Sequence, residues 1–70
     1  MTSEEAPLTT RELEVLRLVA EAYTSDQIAD MLAISRRTVD HHRANLLSKL
    51  GMNNRVELTR YAIRRGLVEP

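Results

Sequence analysis

The stretch that decides the fold is "TSDQIADMLAISRRTVDHHRANLLSKLG", residues 24–51. It holds two segments with helical apolar spacing, and each follows a hydroxyl side chain suited to an N-cap, Thr24 or Ser35. Gln27 completes a capping box with Thr24, and Gly51 is the left-handed residue expected after the second segment. The stretch therefore predicts a short helix, a tight turn and a helix of about 15 residues.

Two further helices flank this stretch. Thr9 and Glu12 form a second capping box, so the first helix is expected to begin there and to continue to about Ala22. The last helix is expected to begin at Asn54 and to end at Arg65. The first helix is expected to face the core with Leu13, Leu16, Val19 and Ala20. These elements predict an all-α fold, a compact four-helix bundle over residues 8–68 behind a flexible tail at residues 1–7.

Composition narrows the possible functions. A chain of 70 residues without cysteine contains no disulfide or thiolate metal site, and it is too short to enclose a deep active site. We therefore expect neither an enzyme nor a bound cofactor. No apolar run reaches the length of a membrane span or a signal segment, so we expect no membrane partner and a cytoplasmic location.

The net charge of zero conceals an uneven distribution. Residues 1–32 carry two basic and seven acidic side chains, whereas residues 33–70 carry eight basic and three acidic ones. The two parts thus have net charges of −5 and +5. Such asymmetry indicates a charged partner, although two faces of opposite sign can also attract each other within the fold.

The two central helices have the spacing of a helix-turn-helix, in which the second helix enters the DNA major groove. Other small helical bundles share this outline. The residues on the exposed face of the third helix must therefore distinguish a DNA-binding motif from an ordinary bundle. At about 100° per residue, its buried stripe is expected to be Val39, His42, Leu46 and Leu50. The opposite, outward face carries Arg37, Asp40, His41, Ala44 and Ser48, with Asn45 at the margin. Its polar groups and small residues suit close approach to a groove.

The adjacent histidines do not predict a metal site. His41 and His42 lie about 100° apart on a helix, so they cannot bind one ion from the same face. We expect His42 to pack inward with a satisfied ring nitrogen and His41 to face outward. No serine, histidine and acid have a spacing typical of nucleophilic catalysis, so no catalytic residue is expected.

Across residues 8–67 the chain resembles the LuxR-type (GerE-type) helix-turn-helix DNA-binding domain. The resemblance rests on three segments together: "LTTRELEVLRLVA" at the start, "IADMLAISRRTVDHH" at the turn and "LLSKLGMNNRVELTRYAIRRGL" at the end. It implies the output domain of a bacterial transcription regulator, with a helix-turn-helix core at about 24–50 and a recognition helix at about 36–50. The third helix of the family reads double-stranded DNA, and the fourth commonly pairs two copies on a two-fold operator.

The resemblance also assigns residues to roles. It implies base contacts at Arg37, Asp40, His41 and Ala44, which agrees with the outward face of the third helix. It implies phosphate contacts at Ser25, Arg36, Thr38, Arg43, Asn45 and Lys49. Simple capping, packing or solvation is the alternative for Ser25, Thr38, Arg43 and Lys49. A weak homodimer is expected through apolar positions of the fourth helix, namely Val56, Leu58, Ala62 and Ile63.

Asp40 departs from many members of the family, which have Lys or Arg at this position. A carboxylate can accept from cytosine in the groove, but neighbouring phosphates repel it. Alternatively, Asp40 can pair with Arg37 or Arg43, bond to His41, or do neither. The rival function is a protein-interaction module that contacts RNA polymerase or a partner regulator, similar in outline to region four of sigma factors.

Overall fold

The computed structural model describes residues 8–69, which form four helices. They are α1 (Thr10–Ala20), α2 (Ser25–Leu32), α3 (Arg36–Leu50) and α4 (Arg55–Arg64). The predicted all-α fold of four helices is confirmed, and no strand occurs in the described range. The predicted tail at residues 1–7 lies outside the described residues.

All four helices begin at the predicted N-caps. The side chains of Thr9, Thr24, Ser35 and Asn54 each accept a hydrogen bond from the backbone N–H three residues later, at 3.0–3.1 Å. The capping boxes of α1 and α2 are complete, because the side chains of Glu12 and Gln27 accept from the backbone of the cap residue. These bonds satisfy N–H groups that have no partner inside the helix.

All four helices also end in the same way. In each, a residue with positive φ is followed by an apolar residue whose N–H bonds to the carbonyl five residues earlier. The positive-φ residues are Ala22, Ala33, Gly51 and Gly66. This is the Schellman motif, which satisfies terminal carbonyls and turns the apolar residue back onto the core. Helix α3 ends as predicted, whereas α1 and α4 end earlier, at Ala20 and Arg64.

The core lies between α1 and the other three helices, all of which pack against it. The largest fully buried side chains are Leu16, Ile28, Leu46, Leu58, Val15, Val19 and Val39. The predicted core stripe of α1 is partly wrong, because Leu13 is 41% exposed while Val15 and Leu18 are buried. Because three helices pack on α1, its buried face is broader than the predicted stripe and is centred on different residues.

The predicted dimer surface on α4 also needs correction. Leu58 and Ala62 have no exposed surface because they pack into this chain's own core, so they cannot contact a second chain. Val56 is 59% exposed and Ile63 is partly exposed. At about 100° per residue, Val56 and Ile63 lie about 20° apart and on the side of α4 opposite Leu58. The four apolar positions therefore belong to two faces, of which only one is available to a partner.

Candidate nucleic-acid interface

Helix α3 separates a buried side from an exposed polar side. Val39 and Leu46 are fully buried, and His42 and Leu50 are partly buried, as expected for the inward stripe. The predicted outward residues Arg37, Asp40, His41, Ala44 and Ser48 are all exposed. Helix α2 packs against α3 across the turn at residues 33–35. A hydrogen bond from the Ser25 hydroxyl to Asp40 Oδ1 places the N-terminus of α2 next to the exposed side of α3.

Arg37 and His41 lie one turn apart on the exposed side of α3. No described residue makes a hydrogen bond or ion pair with the Arg37 guanidinium, so its donors are available to a ligand. The His41 ring makes one described contact, with the His42 ring at a centroid distance of 6.3 Å. Ala44, one turn further, adds no bulk above the helix backbone. A ligand lying along this face can reach both polar side chains.

Three side chains connect the start of α2 to the first half of α3. The Ser25 hydroxyl donates to Asp40 Oδ1 at 3.1 Å and accepts from Arg43 Nη1 at 2.9 Å. Arg43 Nη1 also lies 3.9 Å from Asp40 Oδ1. Among the alternatives left open by the sequence, Asp40 thus pairs with Arg43 and has no described contact with Arg37. The Arg43 side chain is 34% exposed, and it extends toward α2.

Arg36 extends this network to a second carboxylate. Its Nε lies 3.7 Å from Asp40 Oδ2, and its Nη1 lies 3.6 Å from Asp26 Oδ1. These ion pairs are largely exposed, so each contributes little to stability. The network contains two cations, Arg36 and Arg43, and two anions, Asp26 and Asp40, so its formal charge is zero.

Thr38 and Asn45, two further predicted phosphate contacts on α3, make fewer contacts with other side chains. The Thr38 hydroxyl shares a hydrogen bond with the Ser35 hydroxyl at 2.9 Å, next to the N-cap of α3. Asn45 is partly buried at the margin of the exposed face, and no described residue bonds to its side chain. Both residues retain polar atoms that a ligand can use.

Lys49 lies apart from these residues and contacts α1. Its Nζ donates to Glu12 Oε1 at 2.8 Å, and the Glu12 side chain is only 5% exposed. This bond lowers the pKa of Glu12 below its ordinary value, and the Thr9 backbone bond adds to the shift while burial opposes it. The expected phosphate contact at Lys49 thus competes with an internal partner 37 positions away, for which the local sequence gives no signal.

His42 differs from its prediction in one respect. Its ring is partly buried, as expected, but Nδ1 is buried and has no hydrogen-bond partner among the described residues. Nδ1 is therefore not the satisfied ring nitrogen that the sequence predicted, and for Nε2 this stays a prediction. Arg43 Nε, on the next residue, is likewise buried without a partner.

Elsewhere in residues 8–69, the surface offers open grooves. One groove lies between the end of α1 and the start of α4 and includes Ala20, Ala22 and Val56, with Arg55 and Arg60 at its margin. No group of three acidic or histidine side chains within this range is arranged to hold a metal ion. None of the described helices combines the length and apolar character needed to cross a membrane.

A short helix, a three-residue turn and a longer helix with an exposed polar face define a helix-turn-helix domain. The sequence matches the family model of bacterial regulatory proteins of the luxR family over residues 6–62. The chain therefore belongs to the LuxR family of bacterial regulatory proteins. Membership identifies it as a DNA-binding domain of transcription regulation and not as an enzyme.

Two similar proteins are longer than this chain. It is 42% identical over 65 residues to the uncharacterized response regulatory protein YgeK of Escherichia coli K12, which covers 93% of this chain and 44% of YgeK. It is 40% identical over 62 residues to the oxygen regulatory protein NreC of Staphylococcus aureus JH9, which covers 89% of this chain and 29% of NreC. The chain thus spans less than half the length of either relative.

Proposed function

We propose that this chain binds double-stranded DNA in a sequence-specific manner, with α3 in the major groove. The observation that carries the proposal is the shared exposure of Arg37, His41 and Ala44 on one side of α3, opposite the buried Val39 and Leu46. Arginine donates two hydrogen bonds to guanine, and small residues let a helix backbone approach the groove closely. Arg37 and His41 are therefore the proposed principal base contacts, with Ala44 against the bases.

We propose that the backbone contacts come from both helices of the motif. Ser25 lies in the first turn of α2, where free N–H groups and the helix dipole favour phosphate. Arg36, Thr38, Arg43 and Asn45 flank the exposed side of α3 and supply further donors. We omit Lys49 from this set because its ammonium group is paired with Glu12. Such contacts fix the position of a recognition helix without reading sequence.

The chain is also proposed to act as the output domain of a response regulator and to bind DNA as a weak dimer. The first point rests on the similarity to YgeK and on the partial coverage of both relatives. The second rests on Val56 and Ile63, which share the outward side of α4 beside the groove at Ala20 and Ala22. Arg55 and Arg60 border this groove, so two copies would repel each other in part, which suits a weak contact stabilised on DNA. We expect half-sites about 34 Å apart.

Selection from a pool of random DNA duplexes tests the proposal. The wild-type chain should enrich a defined sequence, and a two-fold repeat within that sequence would support the dimer. Enrichment of no sequence would contradict the proposal and favour the alternative of a protein-interaction module that contacts RNA polymerase. A heated, unfolded sample of the same chain provides the control for binding through charge alone.

A further inference from the structure

Asp40 occupies the space between the donors that we propose for DNA phosphate. Its Oδ1 accepts from Ser25 and its Oδ2 lies 3.7 Å from Arg36, while Arg43 approaches Oδ1. We infer that Asp40 is an internal competitor for phosphate, which lowers the affinity for DNA of every sequence. This inference rests on the proposed DNA binding and assigns Asp40 a role in affinity for the DNA backbone, which differs from reading a base.

The donors around Asp40 are those that an incoming phosphate would use. A carboxylate and a phosphate both accept charge-assisted hydrogen bonds from guanidinium groups, and both accept from hydroxyl groups. Arg43 reaches Ser25 at 2.9 Å, so the hydroxyl and the guanidinium are already held together next to the carboxylate. A phosphate at this place must therefore share these donors with Asp40 or displace it, and the two anions repel each other.

The charge of the network leads to the same conclusion. Asp26 and Asp40 balance Arg36 and Arg43, so two of the three arginines in the first half of α3 add no net charge to this surface. Non-specific affinity for DNA comes almost entirely from cations that release counterions from phosphates. Asp40 weakens this backbone contribution but leaves Arg37 without a described partner and available to bases. Base contacts therefore supply a larger share of the total binding free energy.

The same contacts argue against Asp40 as a base reader. Both carboxylate oxygens face groups of this chain, Oδ1 toward Ser25 and Oδ2 toward Arg36. To accept from cytosine, the side chain would have to leave these partners and enter a region of high negative potential. Asp40 thus acts through the phosphate-binding donors, as a positioning residue.

Three chains on two duplexes test the inference. The chains are the wild type, Asp40→Asn, which keeps the size of the side chain and an acceptor for Ser25, and Asp30→Asn as the charge-matched control. Asp30 is exposed on α2 and its side chain has no described contact with the network. One duplex carries the sequence selected by the wild type and the other a scrambled sequence. Fluorescence anisotropy at several salt concentrations gives the affinity and its salt slope.

We expect Asp40→Asn to bind both duplexes about fivefold more tightly, which corresponds to the removal of one repulsion between unit charges about 4 Å apart in water. The magnitude of the salt slope should increase by about 0.9 for each phosphate newly neutralised. Asp30→Asn should change both quantities less. The selected duplex should keep its advantage over the scrambled one, because both duplexes offer the same phosphate contacts.

Two results would overturn the inference while leaving the proposed function intact. Unchanged affinity of Asp40→Asn for both duplexes would show no competition, and weaker binding of the selected duplex alone would make Asp40 a base reader. Absence of binding by every chain to either duplex would instead contradict the proposed function itself. Circular dichroism confirms that each variant is folded. Asp40→Ala provides a second variant, at a side chain that is 49% exposed, and it should also bind DNA more tightly than the wild type.

Discussion

Lys49, near the end of α3, donates a hydrogen bond to Glu12 in the first turn of α1, with 2.8 Å between Nζ and Oε1. The same carboxylate oxygen accepts from the Thr9 backbone N–H at 3.0 Å. One buried side chain thus completes the capping box of α1 and connects α1 to α3. A buried carboxylate needs such partners because the loss of water disfavours its charged form. The pair also joins the acidic and basic parts of the chain.

We expect Lys49→Met to reduce the free energy of unfolding by about 1–3 kcal/mol, because Glu12 would remain buried without its cation. Urea denaturation followed by circular dichroism measures this loss. The double variant Glu12→Gln with Lys49→Met should recover part of it, since the uncompensated charge is removed. Arg11→Met, which breaks the exposed pair between Arg11 and Glu14, is the matched control and should cost less than about 1 kcal/mol. If Lys49→Met instead keeps the stability of the wild type but binds DNA more weakly, Lys49 contacts phosphate.

The lowered pKa of Glu12 makes part of the stability depend on pH. A carboxyl group with a lower pKa in the folded state stabilises that state at pH values above its ordinary pKa of 4.5. The contribution is lost as the pH falls through the lower, folded value. We therefore expect the stability difference between the wild type and Glu12→Gln to be largest near neutral pH and to decline below about 4.5. Urea midpoints measured from pH 7 to pH 3 test this, with Glu14→Gln as a control. A constant difference across this range would contradict the role of the ionised carboxylate.

The sequence predicted the helix starts and the central motif because these depend on neighbouring residues. A cap such as Ser35 bonds to the backbone three positions away, so its signal is contained in four consecutive residues. Gly51 marks the end of α3 for a similarly local reason. Ala22 and Ala33 adopt the same left-handed conformation, and their residue type gives no such signal.

The errors arose where distant parts of the chain decide burial or pairing. A helical wheel places Leu58 and Val56 on opposite sides of α4. It could not tell which side is buried, because both residues are apolar and only the position of α1 against α4 decides this. For Asp40, the sequence left several alternatives open, and the pair with Arg43 is among them. Its closest partner is the Ser25 hydroxyl, 15 positions earlier, which becomes a neighbour only when α2 packs on α3.

We expect Arg37→Ala to relax the base preference at one position of the selected sequence and to cost about 1–3 kcal/mol of binding free energy there. The guanidinium is exposed and has no described partner, so its removal should leave the fold unchanged. Selection from random duplexes, repeated with the variant, measures the preference. Arg17→Ala removes an equally charged, exposed side chain from α1 and should retain the wild-type sequence. Identical selected sequences for the wild type and Arg37→Ala would remove Arg37 from the base contacts.

The outward side of α4 is the surface through which two copies are proposed to meet. Val56 is 59% exposed beside a groove that contains Ala20 and Ala22, and a two-fold dimer would bury it in both copies. Full burial of a valine contributes about 1.5 kcal/mol or more, so Val56→Gln should shift the complex with operator DNA from two chains per site toward one. Light scattering with a two-fold operator measures this ratio. Met31→Gln, at a side chain that is 52% exposed on α2, should leave it at two. If the wild type and Val56→Gln both bind as two chains with equal affinity, the dimer contact lies elsewhere. If the wild type binds as one chain, no dimer forms.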